Sequence, residues 1–323
     1  MPLSNTLKNS KAPSDFMTVQ ILLATYNSEK YLAQQLDSIL AQEFQEFEIL
    51  IRDGGSTDST LEIIREFCQK YPGKVTFAEA GKAGACQNFS RLLELSTAQI
   101  VMFSDHDDVW MPDKISRTLE CYRKAEKKHG KETPILVFTD SKVVDEELNV
   151  LAESMFRHQH LDTRKLTFPR LTVQNVASGN SMLINRRLIE KSTPIPGKAV
   201  MHDHYLMLTA CAFGKIELLN RSTLLYRQHR KNVLGAQNYG VRYFGNLLKS
   251  GREKIRSRFM QNIAQAEEFY HIHHGKLPPE TEEFLAELMT FREKNFFSKR
   301  LFLLRYGMLK SGFLRNLGMF III

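Results

Sequence analysis

Three carboxylates fall within four residues of the stretch Phe103-Ser104-Asp105-His106-Asp107-Asp108-Val109-Trp110, directly after an apolar run. Carboxylates this close repel one another and cost stability unless a cation neutralises them. Mg²⁺ and Mn²⁺ favour such oxygens, and Mg²⁺ keeps waters and substrate phosphates in its shell. The chemistry on offer is metal-assisted work on a phosphorylated ligand. The plainer alternative is a solvated acidic loop ahead of a helix that begins near Pro112. A second polar cluster, Thr25-Tyr26-Asn27, also follows an apolar run. Tyr26 and Thr25 suit stacking on and hydrogen bonding to a nucleobase, while Asn27 and Ser28 equally suit a helix-entry turn. In a third cluster, Asp53-Gly54-Gly55-Ser56-Thr57-Asp58, Asp53 can meet a base N–H while the glycines let a ligand approach. The alternative is a turn plus a helix cap, the role expected of Asp58. Neither GxGxxG nor GxxxxGK[ST] occurs, so a glycine-rich phosphate loop is a poor fit.

The elements that must position these clusters alternate. Apolar runs at Val19–Ala24, Phe47–Ile51, Lys74–Ala78 and Ile100–Phe103 read as strands. Between them lie helix-period segments: Leu32, Leu36, Ile39 and Leu40 after a capping Ser28; Leu61, Ile64 and Phe67; and a helix around Asn88–Leu95. Strand–helix alternation predicts a mostly parallel α/β sheet, and ligands of such sheets bind outside the carboxyl ends of the strands. The three polar clusters all follow strands, so they define one site on one edge. Beyond residue 112 the pattern loosens. Strands are expected at Pro134–Thr139, Ser181–Ile184, Lys215–Leu219 and Thr223–Gln228, and a helix at His202–Phe213.

The chain has 323 residues, 43% hydrophobic and 25% charged, enough to bury a large core without staples. Its four cysteines form no CxxC pair, so neither a disulfide framework nor a zinc ribbon is expected. No secretory h-region and no apolar run of about 18 residues is seen, which leads us to expect a cytoplasmic protein. The net charge of +8 is uneven: residues 1–240 carry 30 Lys and Arg against 28 Asp and Glu, and residues 241–323 carry 14 against 8.

Taken together, ATYNSEKYLAQQLDSILAQ, RDGGSTDSTLEII, KAGACQNFSRLL and SDHDDVWMPDK resemble the donor half of inverting family 2 glycosyltransferases. SGNSMLINR, MHDHYLMLTACAFGKIELL and LLYRQHRKNVLG continue the resemblance toward a bacterial rhamnosyltransferase-like branch that builds cell-surface polysaccharide. The resemblance implies an α/β GT-A fold: a Rossmann-like nucleotide-binding half (17–115) fused to an acceptor half (116–240) around one mixed central sheet. An N-terminal extension (1–16) and a basic helical C-terminal region (241–323) flank it. By similarity, Thr25, Tyr26, Asn27 and Asp53 contact the donor nucleotide, and Asp105 and Asp107 form a DxD motif holding Mg²⁺ or Mn²⁺, with Asp107 the direct ligand. Asp108 lies near the sugar or the metal's outer shell, and Asp203 is the catalytic base. Arg227 or His229 meets the leaving diphosphate, and Gly179, Asn180 and Trp110 line the acceptor pocket. The donor implied is dTDP-L-rhamnose, with UDP-hexoses second, and the acceptor is a lipid-linked saccharide.

The chain departs from that pattern in places. Gly54 stands where the branch often has a second aspartate, His106 where it has Gln, and His204-Tyr205 replace an aromatic pair. No QxxRW motif is present, so single addition is expected rather than polymerisation. Residues 291–323 hold seven Lys and Arg against one Glu among Phe and Leu. That composition reads as an interfacial helix making peripheral contact with the cytoplasmic face of a membrane, or as a helix packed on the catalytic domain. No helix-turn-helix, RRM or zinc pattern accompanies the basic charge, so no nucleic-acid partner is expected. A sugar nucleotidyltransferase shares the fold class, but the glycine-rich N-terminal loop of that class is missing.

Overall fold

A computed structural model describes residues 18–229 and 252–323. The expected extension 1–16 lies outside the described residues, as do Arg230 and the start of the basic region. The first half alternates as the apolar pattern requires: β1 (Val19–Thr25), α1 (Leu32–Leu40), β2 (Phe47–Asp53), α2 (Thr60–Lys70), β3 (Val75–Ala80), α3 (Ala85–Leu95) and β4 (Ile100–Ser104). A two-residue strand, β5 (Val109–Trp110), and α4 (Lys114–His129) follow. The second half contains β6 (Ile135–Val144), β7 (Val150–Ala152), α5 (Met155–His158), α6 (Phe168–Val173), β8 (Met182–Asn185), α7 (Arg186–Ser192), α8 (His202–Phe213) and β9 (Lys215–Arg227). Four helices close the chain: α9 (Arg252–His273), α10 (Pro279–Leu288), α11 (Phe296–Arg305) and α12 (Phe313–Ile322).

All the strands join one sheet in the order β3-β2-β1-β4-β8-β6-β9-β5, with β7 on β6. β1 to β4 are parallel, β8 runs against both β4 and β6, and β6 and β9 are parallel. The carboxyl ends of β1, β2, β4 and β6 therefore share an edge. Strands covered on both faces read as continuous apolar runs. In β1, Leu22 and Ala24 enter one layer with Phe103, Phe138 and the α8 residue Tyr205, while Ile21 and Leu23 enter the other with α1, α2 and α4.

Two local expectations differ. Lys215–Leu219 and Thr223–Gln228 are one strand, β9, whose register against β6 shifts at Asp140; Ser222 pairs with Asp140, and Asn220 and Arg221 form the bulge that imitates a turn. Ser28 does not cap α1. Its amide donates to Thr60 Oγ1 at 2.8 Å, which ties the β1 loop to the start of α2. Asp58 does serve α2, accepting from the Thr60 amide at 3.1 Å. The basic C-terminal helices share the main core, since Phe259, Phe269, Phe284, Phe291 and Phe302 are buried in the same layer as α8. Gln265 and Glu268 of α9 accept from the amides of Val200 and Lys198, which brace the loop that leads into α8.

Candidate active site

At the β1 and β2 ends the polar clusters bind each other. Asp53 is fully buried: its Oδ2 accepts from Thr25 Oγ1 at 2.9 Å and Ser56 Oγ at 2.5 Å, and its Oδ1 from the amides of Gly55 and Ser56 at 2.9 and 2.7 Å. Thr25 is equally buried. These two side chains bond to each other and brace the loop at the β1 and β2 ends. Asn27 stitches the loops together, its Oδ1 accepting from the Thr57 amide at 2.9 Å. Tyr26 is 56% exposed. Gly54 explains the missing second aspartate. A Cβ there would lie 3.2 Å from Thr25 O, Ala83 O and Asn88 Nδ2, so a side chain has no room unless its neighbours give way.

The three aspartates after β4 have three different environments. Asp108 is fully buried; Asn180 Nδ2 donates to its Oδ2 and the Arg227 amide to its Oδ1 at 3.2 Å. Burial, then the charges of Asp107 and Asp105, push its carboxyl well above the usual range. Asp107 Oδ2 pairs with His229 Nε2 at 2.8 Å. Although burial works to raise it, that bond and the nearby His106 hold Asp107 below the usual range. For the Asp105 carboxylate no hydrogen-bond donor is found among the described residues. Burial, Asp107 and Asp203 raise it to about 8.

Arg227 holds this loop from behind. Its Nε donates to Asp107 O at 2.8 Å, and its Nη atoms donate to Glu146 O and to Gln34 Oε1 at 2.5 Å. Its guanidinium lies over the Tyr31 ring, which in turn stacks on His229. With 2% of its surface exposed, Arg227 braces the acidic loop. His229 stays beside Asp107.

Asp203 opens α8. Its Oδ2 accepts from the Gly179 amide at 3.0 Å and its Oδ1 from the His204 amide at 2.6 Å, yet burial outweighs these bonds and raises its pKa to about 6. Gly179 and Asn180 form a short 3₁₀ turn entering β8. Both are buried. The Gly179 amide meets Asp203 and the Asn180 side chain meets Asp108. His202, unremarked in the sequence, packs on Phe89 and Phe103 with ring centroids 4.1 and 5.2 Å away. Burial lowers its pKa to about 3, so the ring is neutral.

Trp110, only 3% exposed, packs in the layer with α1 and α4, because β5 pairs with β9 through Leu224. Fully buried Lys114 lies 4.8 Å from its ring and donates to Thr223 at 3.2 Å; burial lowers this amine to about 7.

Among the described residues no three His, Cys, Asp or Glu side chains form a metal cage. An unpartnered carboxylate, Asp105, beside the Asp107–His229 pair still suits a hard divalent ion that takes part of its shell from phosphate oxygens. The residues present therefore fit Mg²⁺ or Mn²⁺.

The unpartnered Asp105 carboxylate, the Asp107–His229 pair and the buried Asp203 carboxylate lie at the carboxyl edge of a mixed sheet. The profile of Glycosyl transferase family 2 matches residues 20–191, and the chain belongs to that family. Among curated proteins it is 28% identical over 229 residues to the dTDP-rhamnosyl transferase RfbG of Shigella flexneri, covering 66% of this chain and 74% of that one. An uncharacterised glycosyltransferase of Nostoc is 26% identical over 221 residues, covering 67% of this chain and 66% of that one. The match spans 60% of the length of a Mycobacterium tuberculosis relative. Among solved structures, Staphylococcus aureus TarS 1-349 in complex with UDP-GlcNAc superposes with a TM-score of 0.56 at 16% identity, covering 90% of this chain and 78% of that 1-349 chain. The mannosyltransferase PcManGT of Pyrobaculum calidifontis, in complex with GDP-Man and Mn²⁺, gives 0.50 at 18%, covering 91% and 76%. The fold is GT-A, with a helical C-terminal region, and the protein is a glycosyltransferase.

Proposed function

We propose that the protein transfers L-rhamnose from dTDP-L-rhamnose, with inversion, to a lipid-linked saccharide during cell-surface polysaccharide synthesis. The observation that carries this reading is the convergence of Asp105, the Asp107–His229 pair and Asp203 on one edge of the sheet. Asp203 takes the proton from an acceptor hydroxyl, and that oxygen attacks the anomeric carbon. The bond from this carbon to the diphosphate oxygen breaks on the opposite face, and the electron pair leaves with the diphosphate. Asp107 and Asp105 would hold a divalent cation, which would supply charge stabilisation for that leaving group. The raised pKa of Asp203 suits a base, because a carboxylate near 6 is both ionised at neutral pH and a better proton acceptor than an exposed one. Arg227 keeps Asp107 in place through its carbonyl, and Tyr26 offers a ring to the nucleobase. The name of the Shigella relative favours a dTDP-rhamnose donor, and the UDP-GlcNAc complex of TarS keeps UDP-hexoses as the second reading.

We also propose peripheral membrane contact. No helix among the described residues is long and apolar enough to cross a membrane. Phe296, Phe297, Leu301 and Leu304 of α11 and Phe313 of α12 are exposed, interleaved with Lys299, Arg300 and Arg315. Apolar rings with basic neighbours suit an anionic bilayer surface.

The test is a donor panel: dTDP-L-rhamnose, UDP-glucose, UDP-galactose and UDP-N-acetylglucosamine, each with Mg²⁺, Mn²⁺ or EDTA and a membrane lipid extract as acceptor. Release of dTDP alone, abolished by EDTA, is the expected result. Release from a UDP-sugar instead would overturn the donor assignment. Metal-independent release would overturn the role of Asp105 and Asp107.

A further inference from the structure

The helix that carries the proposed base starts without a cap of its own. The N-cap position of α8 is Met201, which makes no side-chain cap bond, and Asp203 in the first turn uses its Oδ1 on the His204 amide. Ser, Thr, Asp or Asn at an N-cap fixes such a start from within. Ten of the twelve α8 residues are buried, so the core sets its sideways position. Where its first turn begins is left to the segment that enters it.

That segment is held from outside by one face of α9. Gln265, Glu268, Phe269 and His273 recur at helical spacing and so share a side of the helix. Gln265 Oε1 accepts from the Val200 amide at 2.7 Å, and Glu268 Oε2 from the Lys198 amide at 2.9 Å. Further along, the Phe269 ring meets Tyr205 of α8 at 5.6 Å, and His273 Nε2 pairs with the Tyr205 hydroxyl at 3.1 Å. α9 therefore grips the chain on both sides of Asp203, at Lys198 and Val200 ahead of it and at Tyr205 behind it.

Gln265 is the least expected member of this face. It is 1% exposed, and its Nε2 has no acceptor among the described residues. Buried polar atoms are normally partnered, so half of this amide is a cost to the core. What the side chain contributes that an apolar residue of its length would not is the bond to Val200. The other flank of Asp203 is tied to the same region. The Asn175 side chain meets the Asp203 carboxylate. Just before Asn175, the Val173 carbonyl accepts from Asn262 Nδ2 of α9 at 3.2 Å, and Gln174 Oε1 accepts from the Ser311 amide at 2.6 Å.

We propose that Gln265 is a positioning residue for Asp203: by fixing the Val200 amide it sets where α8 begins, and so where the base stands against the acceptor hydroxyl. This deepens the reading above and rests on Asp203 being the base. A reacting group displaced by about 1 Å can lose roughly 100-fold in rate. The effect falls on turnover and not on the donor, whose proposed seat is at Asp105 and Asp107.

The test compares Q265M, which keeps the length and loses the acceptor, with Q265E, which keeps an Oε acceptor. With dTDP-L-rhamnose, Mg²⁺ and membrane lipid extract, Q265M is expected to lower kcat at least about tenfold and to leave the donor KM within about twofold. Q265E should restore kcat to within about threefold of the wild type, and E268A, at a half-buried position, should lower kcat in the same direction as Q265M. Hydrogen exchange needs no turnover: across residues 196–206 it should quicken in Q265M while exchange across β4 stays at the wild-type level. Unchanged exchange would overturn the grip of α9 on this segment. Full kcat in Q265M beside an inactive D203N would overturn the positioning role, and equal losses in Q265M and Q265E would overturn the part given to the acceptor oxygen. Turnover retained by D203N, with faster exchange in Q265M, would instead refute the base assignment and leave the grip of α9 standing.

Discussion

The backbone amide of Gly179 donates a 3.0 Å hydrogen bond to Oδ2 of Asp203, so the turn that enters β8 aims the first carboxylate of α8. The next residue, Asn180, holds Asp108. One three-residue turn thus joins the proposed base to the acidic loop, and its geometry depends on having no side chain at 179.

A Cβ at Gly179 would lie 2.4 Å from His202 Nε2, closer than packing allows. G179A is expected to lower stability by about 1–3 kcal/mol and turnover by at least tenfold. H202A removes the obstructing ring. The double variant should therefore be less impaired than the two single effects combined, because the pair shares one contact. Thermal melting and initial rates of the four proteins test this; strict additivity would count against the clash.

With Asp203 raised to about 6, the base is protonated and inactive below that value and ionised above it. The rate should climb with pH through about 6 and level off toward 7 and beyond. A pH profile of kcat/KM for the preferred donor and acceptor reads this limb directly. A flat profile between pH 5 and 7 would place the base elsewhere.

Losing the Asn180 amide leaves the buried Asp108 carboxylate short of a donor, and an unsatisfied buried acceptor costs about 1–3 kcal/mol. N180A should lose stability in that range by urea denaturation. N180D, which sets a second carboxylate beside Asp108, should lose more, and a smaller loss for N180D than for N180A would contradict the account.

Much of this was legible in the sequence because the signals are local. Val19–Thr25, Phe47–Asp53 and Ile100–Ser104 are apolar runs ended by polar clusters, and that pattern placed the site on one edge. What was not legible depends on distant partners. Residue type marks Arg227 as an anion binder, but its contacts with Asp107, Gln34 and Glu146 arise only after β9 pairs with β5 and β6. Trp110 lies in a two-residue strand with no period to read, so its burial depends on Leu224 across the ladder. Thr25 and Asp53 are adjacent only because β1 and β2 pair in register, which brings their side chains into a mutual hydrogen bond.

Phe297 and Phe313 are 81% and 78% exposed, so replacing them leaves the core intact. Each fully buried ring is worth about 1.5–3 kcal/mol of apolar transfer. F297S/F313S should therefore weaken co-sedimentation with anionic phosphatidylglycerol vesicles at least tenfold while the melting curve stays unchanged. Binding of the wild type should fall as salt is raised. Equal binding by variant and wild type would remove the membrane assignment of this face.

The central claim is that donor binding and base catalysis belong to different carboxylates on one edge. It is tested most directly by calorimetric donor binding and turnover measured side by side in the wild type, D107N and D203N, with Mn²⁺ present. The account predicts that D107N loses both metal-supported donor binding and turnover. D203N should bind donor within about twofold of the wild type while losing turnover by roughly 100-fold or more, the scale of a removed general base. A D203N protein that retained more than about a tenth of the wild-type rate would contradict the assignment of Asp203 as the base.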